Sequence, residues 1–300
     1  MELEVPQASA GERLDSFLGS RIGSRSQAQR LLELGVVSID GVPARAKRAR
    51  LAGGETISLS MPPADEPGSG PHAPYEVAFE DEHLLVIDKP PGVVVHPARG
   101  HRQGTLSQAL AARGAAGGDP WRAGIVHRLD KNTSGLLVVA KHEACHRLLK
   151  EALAARRITR EYTALGEGAP PARSGTIDAP LGRDRRVRTR VSTDTDDGRE
   201  AQTDFELLEE LPRSCLLKVT LRTGRTHQIR AHFEAIGHPV CGDPEYGTAG
   251  LYGLERQFLH AARLAFAHPC GGTVDVSSEL PQELQAALAH ARDCGPDHRR

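Results

Sequence analysis

The sequence has few aromatic residues, almost no net charge and no long apolar run. Aromatic side chains make up 4% of the 300 residues, so stacked aromatic platforms are not expected and the core must be mostly aliphatic. Lys and Arg number 38 against 39 Asp and Glu, a net charge of −1, so a nucleic-acid partner would have to be recognised through local basic patches.

The sequence also lacks membrane-spanning and signal-peptide segments and paired cysteine motifs. No stretch approaches the roughly 20 apolar residues of a membrane span, and the N-terminus lacks the basic and apolar segments of a signal peptide. The five cysteines are odd in number, scattered and without a C-x-x-C pair, so neither a disulfide framework nor a thiolate zinc site is indicated. We therefore expect a cytoplasmic protein with reduced cysteines, no membrane contact and, at about 150 residues per domain, two domains.

The first domain is expected at residues 11–60. Apolar spacing predicts helices over Arg13–Ile22 and from Ser24 to Gly35, and strands are predicted at 36–39 and 55–59, with a hairpin turn at 40–41. Between residues 21 and 50, seven basic residues face two acidic ones. Such a run is typical either of a solvated surface or of a module that holds phosphates.

A second domain is expected at residues 75–290, after a Pro- and Gly-rich linker at 61–74. Strands are predicted at Leu84–Asp88, Val93–Val95, Leu136–Ala140, Glu161–Leu165, Phe205–Leu208 and Leu216–Arg222. Helices are predicted at Thr105–Ala112, Glu143–Ala155, His227–Ile236 and Pro281–Ala289. Because strands outnumber helices and loops or hairpins connect most of them, we expect an α+β fold with a mixed, largely antiparallel sheet.

Two polar clusters adjoin apolar strands and are candidates for chemistry. In residues 124–135, Asp130 lies where a loop enters a buried strand, so its carboxylate needs a cation or several hydrogen-bond donors. Residues 223–232 offer Arg225 and Arg230. An Arg–carboxylate pair between the clusters would keep Asp130 ionised, although such a pair is by itself more often structural than catalytic.

Residues 142–146 match the zinc-binding pattern H-E-x-x-H. A third protein ligand is required, and the downstream candidates Glu161 and Glu167 lie near a strand. The sequence therefore favours a solvated helix face at His142 and His146 over a metal site.

Several motifs in one order resemble the RluA family of pseudouridine synthases over about residues 75–290. They are H-R-L-D with T-S-G-L-L at 127–137, R-E-Y-T-A at 160–164, G-R-T-H-Q-I-R-A-H at 224–232, and G-H-P with G-D at 237–243. D-K-P-P-G at 88–92 and L-H-A-A-R-L at 259–264 also match. The helix pair in 11–60 resembles an S4 RNA-binding domain, the arrangement of the branch that modifies large-subunit ribosomal RNA.

The resemblance implies a base-flipping isomerase of RNA uridines that needs no cofactor and no metal. Asp130 would act as nucleophile at C1′ or as base at C2′, Arg225 would pair with it, and Tyr162 would stack on the uracil and assist proton removal from C5. Arg128 would fill the gap left by the flipped base. Further contacts to RNA are expected from Arg25, Arg30, Arg48 and Arg230, and from the Arg-rich stretch 183–190.

An alternative is an RNA-binding or ribosome-assembly factor that kept the fold and lost the reaction. The presence of Asp130, Tyr162 and Arg225 together favours the enzyme.

Overall fold

The computed structural model describes residues 1–22, 25–44, 46, 48–59, 73–97, 103–119 and 122–294. The chain divides into two compact units. The first consists of Met1–Pro74, Val94–Ile125 and Ala140–His146, and the second of Tyr75–Val93, Val126–Val139 and Arg147–Arg300. The predicted linker lies outside the described residues except for 73–74, so the predicted domain boundaries stay a prediction.

The N-terminal part of the first unit contains two helices and a small antiparallel sheet. Its elements are β1 (Glu2–Glu4), α1 (Leu14–Ile22), α2 (Arg25–Leu34), β2 (Val37–Ile39), β3 (Val42–Pro43) and β4 (Thr56–Leu59). The strand order is β1-β4-β2-β3, and Asp40 and Gly41 join β2 to β3 with φ of 46° and 79°, the left-handed pair of a tight hairpin turn. The predicted helix pair, turn and two strands are confirmed.

The core of this part is mostly aliphatic, as the composition predicts. The buried side chains Leu14, Phe17 and Leu18 of α1 belong to one cluster with Ala28 and Leu31 of α2. Burying one such side chain contributes about 1.5–3 kcal/mol, so the apolar spacing that predicted the helices also explains why they pack together.

The second unit is built on a nine-stranded sheet. Its strands are β5 (Glu76–Glu80), β6 (Leu84–Lys89), β7 (Ser134–Ala140), β8 (Ile158–Glu167), β9 (Ser174–Asp178), β12 (Gln202–Glu210), β13 (Ser214–Leu221), β14 (Leu259–Ala267) and β15 (Thr273–Ser277). The order is β5-β6-β7-β14-β8-β13-β12-β9, and β15 also pairs with β14. β7 and β14 run parallel, whereas β14, β8, β13, β12 and β9 pair antiparallel in succession. The predicted α+β fold with a largely antiparallel sheet is confirmed.

The remaining elements are four helices and a short hairpin. They are α3 (Leu106–Ala112), α4 (Glu143–Ala154), α5 (Gln228–Ala235), α6 (Gln282–Asp293), β10 (Gly182–Arg183) and β11 (Val191–Ser192). All four predicted helices are confirmed within a few residues at their ends. In the part of the chain that is described, no helix is long and apolar enough to cross a membrane.

One predicted strand is wrong. Val93 and Val95 are buried, but the segment 93–95 forms no strand. The carbonyl oxygens of Val94 and Val95 accept the backbone N–H groups of Leu106 and Ser107 at 2.9 and 3.0 Å. These carbonyls therefore serve the otherwise unpaired N-terminus of α3 instead of a sheet.

Three of the five cysteines, Cys145, Cys215 and Cys241, are buried, and Cys270 is exposed. Burial raises the pKa of the Cys215 thiol to about 11, so this sulfur is a neutral packing group.

Candidate active site

Asp130 lies in the loop that leads into β7, the buried strand of the second unit. Its carbonyl oxygen accepts the N–H of Thr133 at 3.1 Å, which turns the chain toward β7. The carboxylate is 18% exposed, and its Oδ2 lies 3.5 Å from Nη1 of Arg230. The Asp130 side chain is therefore largely buried, forms an ion pair with Arg230 and remains partly accessible to solvent.

Arg230 is on α5 and is shared by three carboxylates. Asp243, which is completely buried, accepts hydrogen bonds from Nε and Nη2 of Arg230 at 2.6 and 2.9 Å. Glu245 accepts one from Nη2 at 3.2 Å. Burial disfavours the charged guanidinium, but the bonds to Asp243 and the nearby charge of Asp130 raise the pKa of Arg230 above its ordinary value. Arg230 is thus a fixed cation aimed at Asp130.

The expectation that Arg225 pairs with Asp130 is wrong. Arg225 is exposed, and its Nε donates to the carbonyl oxygen of Glu200 at 2.9 Å. Arg230, which we expected to contact RNA, is only 7% exposed and makes the ion pair instead. The reason is the start of α5 at Gln228, which leaves Arg225 in the preceding loop and places Arg230 on the buried side of the helix.

Gln228 fixes where α5 begins. Its Oε1 accepts the hydroxyl of Thr223 at 2.8 Å and the N–H of Arg225 at 2.9 Å. Its Nε2 donates to the carbonyl oxygen of Gln202 and to Oγ1 of Thr203, both at 2.9 Å. These bonds tie the helix to β12 and so determine the place from which Arg230 reaches Asp130.

Two buried basic side chains hold the Asp130 loop, and neither was expected from the sequence to have a role in the site. Lys89 donates to the carbonyl oxygen of Lys131 at 3.0 Å. Arg256 donates to the carbonyl oxygen of Asn132 at 3.0 Å and to Oγ of Ser134 at 3.1 Å, and is paired with Glu283 of α6. Burial lowers the pKa of Lys89 to about 7, and Asp130 partly opposes this shift.

At Gly135, immediately after this loop, β7 approaches β14 too closely for a side chain. Gly135 has φ of 109°, and a Cβ built there would lie 2.3 Å from the carbonyl oxygen of Ala261. Only glycine fits this close contact without moving the backbone.

Tyr162 is on β8, opposite Val219 of β13 and Ala261 of β14. It is buried, and burial raises the pKa of its hydroxyl to about 12, with Arg160 opposing and the negative charge of Asp130 adding to the shift. The hydroxyl therefore remains protonated near neutral pH and lies within electrostatic range of Asp130.

The predicted RNA-binding arginines are spread over the chain. Arg128, two residues before Asp130, is exposed. In the first unit, Arg25 is 52% exposed and pairs with buried Asp15 at 3.1 Å, and Arg48 is exposed. The side chain of Arg30 lies outside the described residues. The structure thus pairs Asp130 with Arg230, keeps Tyr162 within electrostatic range of Asp130, and leaves Arg225 apart.

Two residues of the H-E-x-x-H motif, His142 and Glu143, accept backbone N–H groups. Nδ1 of His142 accepts the N–H of Cys145 at 3.3 Å, and Glu143 accepts the N–H of Gly118 at 2.7 Å. Within the described residues, no group of three or more His, Cys, Asp or Glu side chains is placed to hold a metal ion.

An enclosed aspartate paired with a fixed arginine, within electrostatic range of a protonated tyrosine on an α+β sheet, defines a site suited to acid–base or nucleophilic chemistry. The sequence model of the RNA pseudouridylate synthase family matches residues 83–235. The chain belongs to this family and is an RNA pseudouridine synthase.

Similar proteins span nearly the whole chain. An uncharacterized RNA pseudouridine synthase of Chloroflexus aurantiacus is 45% identical over 98% of this chain and 94% of its own length. A ribosomal large subunit pseudouridine synthase D of Nitrosomonas europaea is 40% identical over 98% of this chain and 88% of its own length. A solved human structure, RNA Pseudouridylate Synthase Domain Containing 1, superposes with a TM-score of 0.58 at 27% identity, covering 77% of this chain and 99% of that one.

Proposed function

We propose that this protein converts specific uridines of large-subunit ribosomal RNA to pseudouridine in the cytoplasm. The observation that carries the chemistry is the carboxylate of Asp130, 18% exposed and 3.5 Å from the fixed cation Arg230. The choice of RNA is supported by the relatives named ribosomal large subunit pseudouridine synthase D, from Nitrosomonas europaea and Xanthomonas campestris.

The reaction rearranges one nucleotide without adding or removing atoms overall. The bond between uracil N1 and C1′ breaks, the base turns, and C5 forms the new bond to C1′. The proton on C5 leaves and N1 gains a proton, so no oxidant, reductant or cofactor is consumed. The protein must extrude the nucleotide, help break the glycosidic bond and retain the free base.

Asp130 acts on the ribose, either as nucleophile at C1′ or as base at C2′, and either role requires its ionised form. Arg230 places a positive charge 3.5 Å from its Oδ2. Tyr162 faces the uracil and, with its hydroxyl protonated, assists proton movement at C5. Arg128 occupies the space left by the extruded base, since it is exposed two residues before Asp130.

We expect Asp130→Asn to abolish pseudouridine formation, because the amide keeps the shape of the side chain and removes its charge. A loss of at least about 1000-fold is expected. This corresponds to about 4 kcal/mol of lost transition-state stabilisation, because each 1.36 kcal/mol is tenfold in rate. The measurement is pseudouridine formation on unmodified ribosomal RNA, with the positions mapped.

The matched control is Asp178→Asn at the end of strand β9, an exposed carboxylate that accepts Nε2 of Gln202 at 2.8 Å. It should retain the wild-type rate. Turnover of Asp130→Asn within about tenfold of wild type would refute the assignment, and an inactive wild-type protein that binds RNA would favour an assembly factor.

The N-terminal part, residues 11–60, is proposed to be an S4-like module that holds RNA phosphates. Its two packed helices carry Arg25, which is exposed although its Nε is anchored by buried Asp15 at 3.1 Å. Arg48 is also exposed. The guanidinium group of Arg25, which is anchored and faces solvent, suits phosphate oxygens, because little side-chain freedom is lost on binding.

The variant Arg48→Gln tests this module. Each phosphate contact to single-stranded RNA adds about −0.7 to the slope of log K against log salt, so removal of one contact should make the slope shallower by about that amount. The saturated rate should stay close to wild type, because Asp130 and Arg230 are in the other unit. An unchanged slope would show that Arg48 holds no phosphate.

A further inference from the structure

Tyr246 lies beneath two arginines of the second unit. It follows Asp243 by three residues and is 5% exposed. The guanidinium carbons of Arg230 and Arg190 lie 4.7 and 4.4 Å from the centre of its ring. Cations at this distance are attracted to the electron-rich face of an aromatic ring, so the ring holds both guanidinium groups.

The hydroxyl of Tyr246 is bound to the hairpin β10–β11. It donates to the carbonyl oxygen of Val191 at 2.9 Å and accepts the N–H of the same residue at 3.2 Å. It also lies 3.1 Å from Nδ1 of His227. Because its one proton goes to Val191, Nδ1 of His227 must be the donor in this last contact. One phenol therefore joins the hairpin to the residue that precedes α5.

The hairpin is attached to α5 at two further points. Arg190 pairs with Glu234 of α5 at 3.2 Å. Tyr246 shares a small buried cluster with Leu181, just before β10, and Ala231 of α5, against which Val191 packs. The hairpin and the loop that joins its strands carry four exposed arginines, Arg183, Arg185, Arg186 and Arg188.

The contact of Arg230 with Asp130 depends on the tilt of the guanidinium plane. The fork to Asp243 fixes Nε and Nη2 at 2.6 and 2.9 Å, but rotation about that fork would move Nη1. Nη1 makes the longest contact of the group, 3.5 Å to Asp130, so a small displacement would break it. The ring of Tyr246 is the surface against which the plane rests.

We propose that Tyr246 is a positioning residue that holds Arg230 against Asp130 and, through its hydroxyl, ties the arginine-bearing hairpin to the same ion pair. The proposal rests on the proposed role of Asp130. The ring and the hydroxyl have separate tasks: the ring sets the reacting geometry, and the hydroxyl keeps the hairpin docked beside it.

Two variants separate these tasks. Tyr246→Leu removes both the ring and the hydroxyl, whereas Tyr246→Phe keeps the ring and removes the hydroxyl. The control is Tyr252, a second buried tyrosine of the same unit, whose ring lies edge-on to His290 at 5.6 Å. The measurements are single-turnover rate at saturating RNA, RNA affinity, thermal unfolding and the rate of limited trypsin cleavage within residues 183–190.

Tyr246→Leu should lower the saturated rate at least about tenfold with a smaller change in RNA affinity, since misplacement of a reacting group by about 1 Å can cost on the order of 100-fold. Tyr246→Phe should recover most of this loss. Because Phe leaves the hairpin less firmly held, trypsin should cleave it about fivefold faster, the effect of losing about 1 kcal/mol of hydrogen bonding. Tyr252→Leu and Tyr252→Phe should change neither quantity.

A saturated rate of Tyr246→Leu within about threefold of wild type would overturn the role of the ring, as would an equal loss in Tyr252→Leu. Trypsin cleavage of Tyr246→Phe at the wild-type rate would overturn the hydroxyl link. Asp130→Asn is measured beside them. If it is fully active, the proposed function fails, whereas an inactive Asp130→Asn with an active Tyr246→Leu refutes only the positioning role.

Discussion

The variants Arg230→Lys and Arg225→Lys make the same chemical change five positions apart in one segment. Lysine keeps the charge and replaces the planar fork of donors by a single ammonium. The structure predicts very different outcomes, because Arg230 is 7% exposed and bound to three carboxylates, whereas Arg225 is exposed and bound to one carbonyl oxygen.

The size of the effect follows from the contacts of Arg230. Its bonds to Asp243 at 2.6 and 2.9 Å are charge-assisted, and the loss of one such bond costs about 1.5–3 kcal/mol. An ammonium that stays on Asp243 cannot also reach Oδ2 of Asp130. We therefore expect the saturated rate of Arg230→Lys to fall by about one to two powers of ten, at tenfold per 1.36 kcal/mol.

The assay is single-turnover release of tritium from C5-labelled uridine in RNA, at saturating protein, since the C5 hydrogen leaves when the new bond forms. Arg225→Lys should stay within about threefold of wild type. Denaturant unfolding of both variants checks that the rate is measured on folded protein. A larger loss in Arg225→Lys than in Arg230→Lys would refute the assignment of the ion pair.

Two further predictions concern pH and metal. Burial lowers the pKa of Lys89 from 10.5 to about 7, so between these values the unfolded chain binds one more proton than the folded chain. The free energy of unfolding of the wild type should therefore rise, relative to that of Lys89→Met, as pH increases from about 7 toward 10.5. Denaturant titrations of both proteins at pH 7 and 10 test this. The same change in unfolding free energy with pH in both proteins would contradict it. Treatment with EDTA and the variant His142→Ala should each leave the rate of pseudouridine formation unchanged, because the isomerisation requires no metal. A stoichiometric zinc ion that either change removes together with activity would contradict this.

The sequence by itself predicts the elements whose side chains repeat locally. Leu14, Phe17 and Leu18 define one face of α1, and Asp40 with Gly41 defines a hairpin turn, because neighbouring residues determine both. The unbroken apolar run of β7 after a polar loop was enough to indicate Asp130. In contrast, β14 was missed as a strand, since His260 and Arg263 interrupt its apolar pattern.

Only the tertiary structure decided which groups meet Asp130. The motif contains Arg225 and Arg230, and the residue types do not distinguish them; the start of α5 at Gln228 and the way β12 holds that helix do. The partners are far apart in sequence: Arg230 is 100 positions from Asp130, and Arg256 is 124 positions from Asn132. Local periodicity carries no information about such pairs, because the orientation of a donor is set by the packing of the elements that bear it.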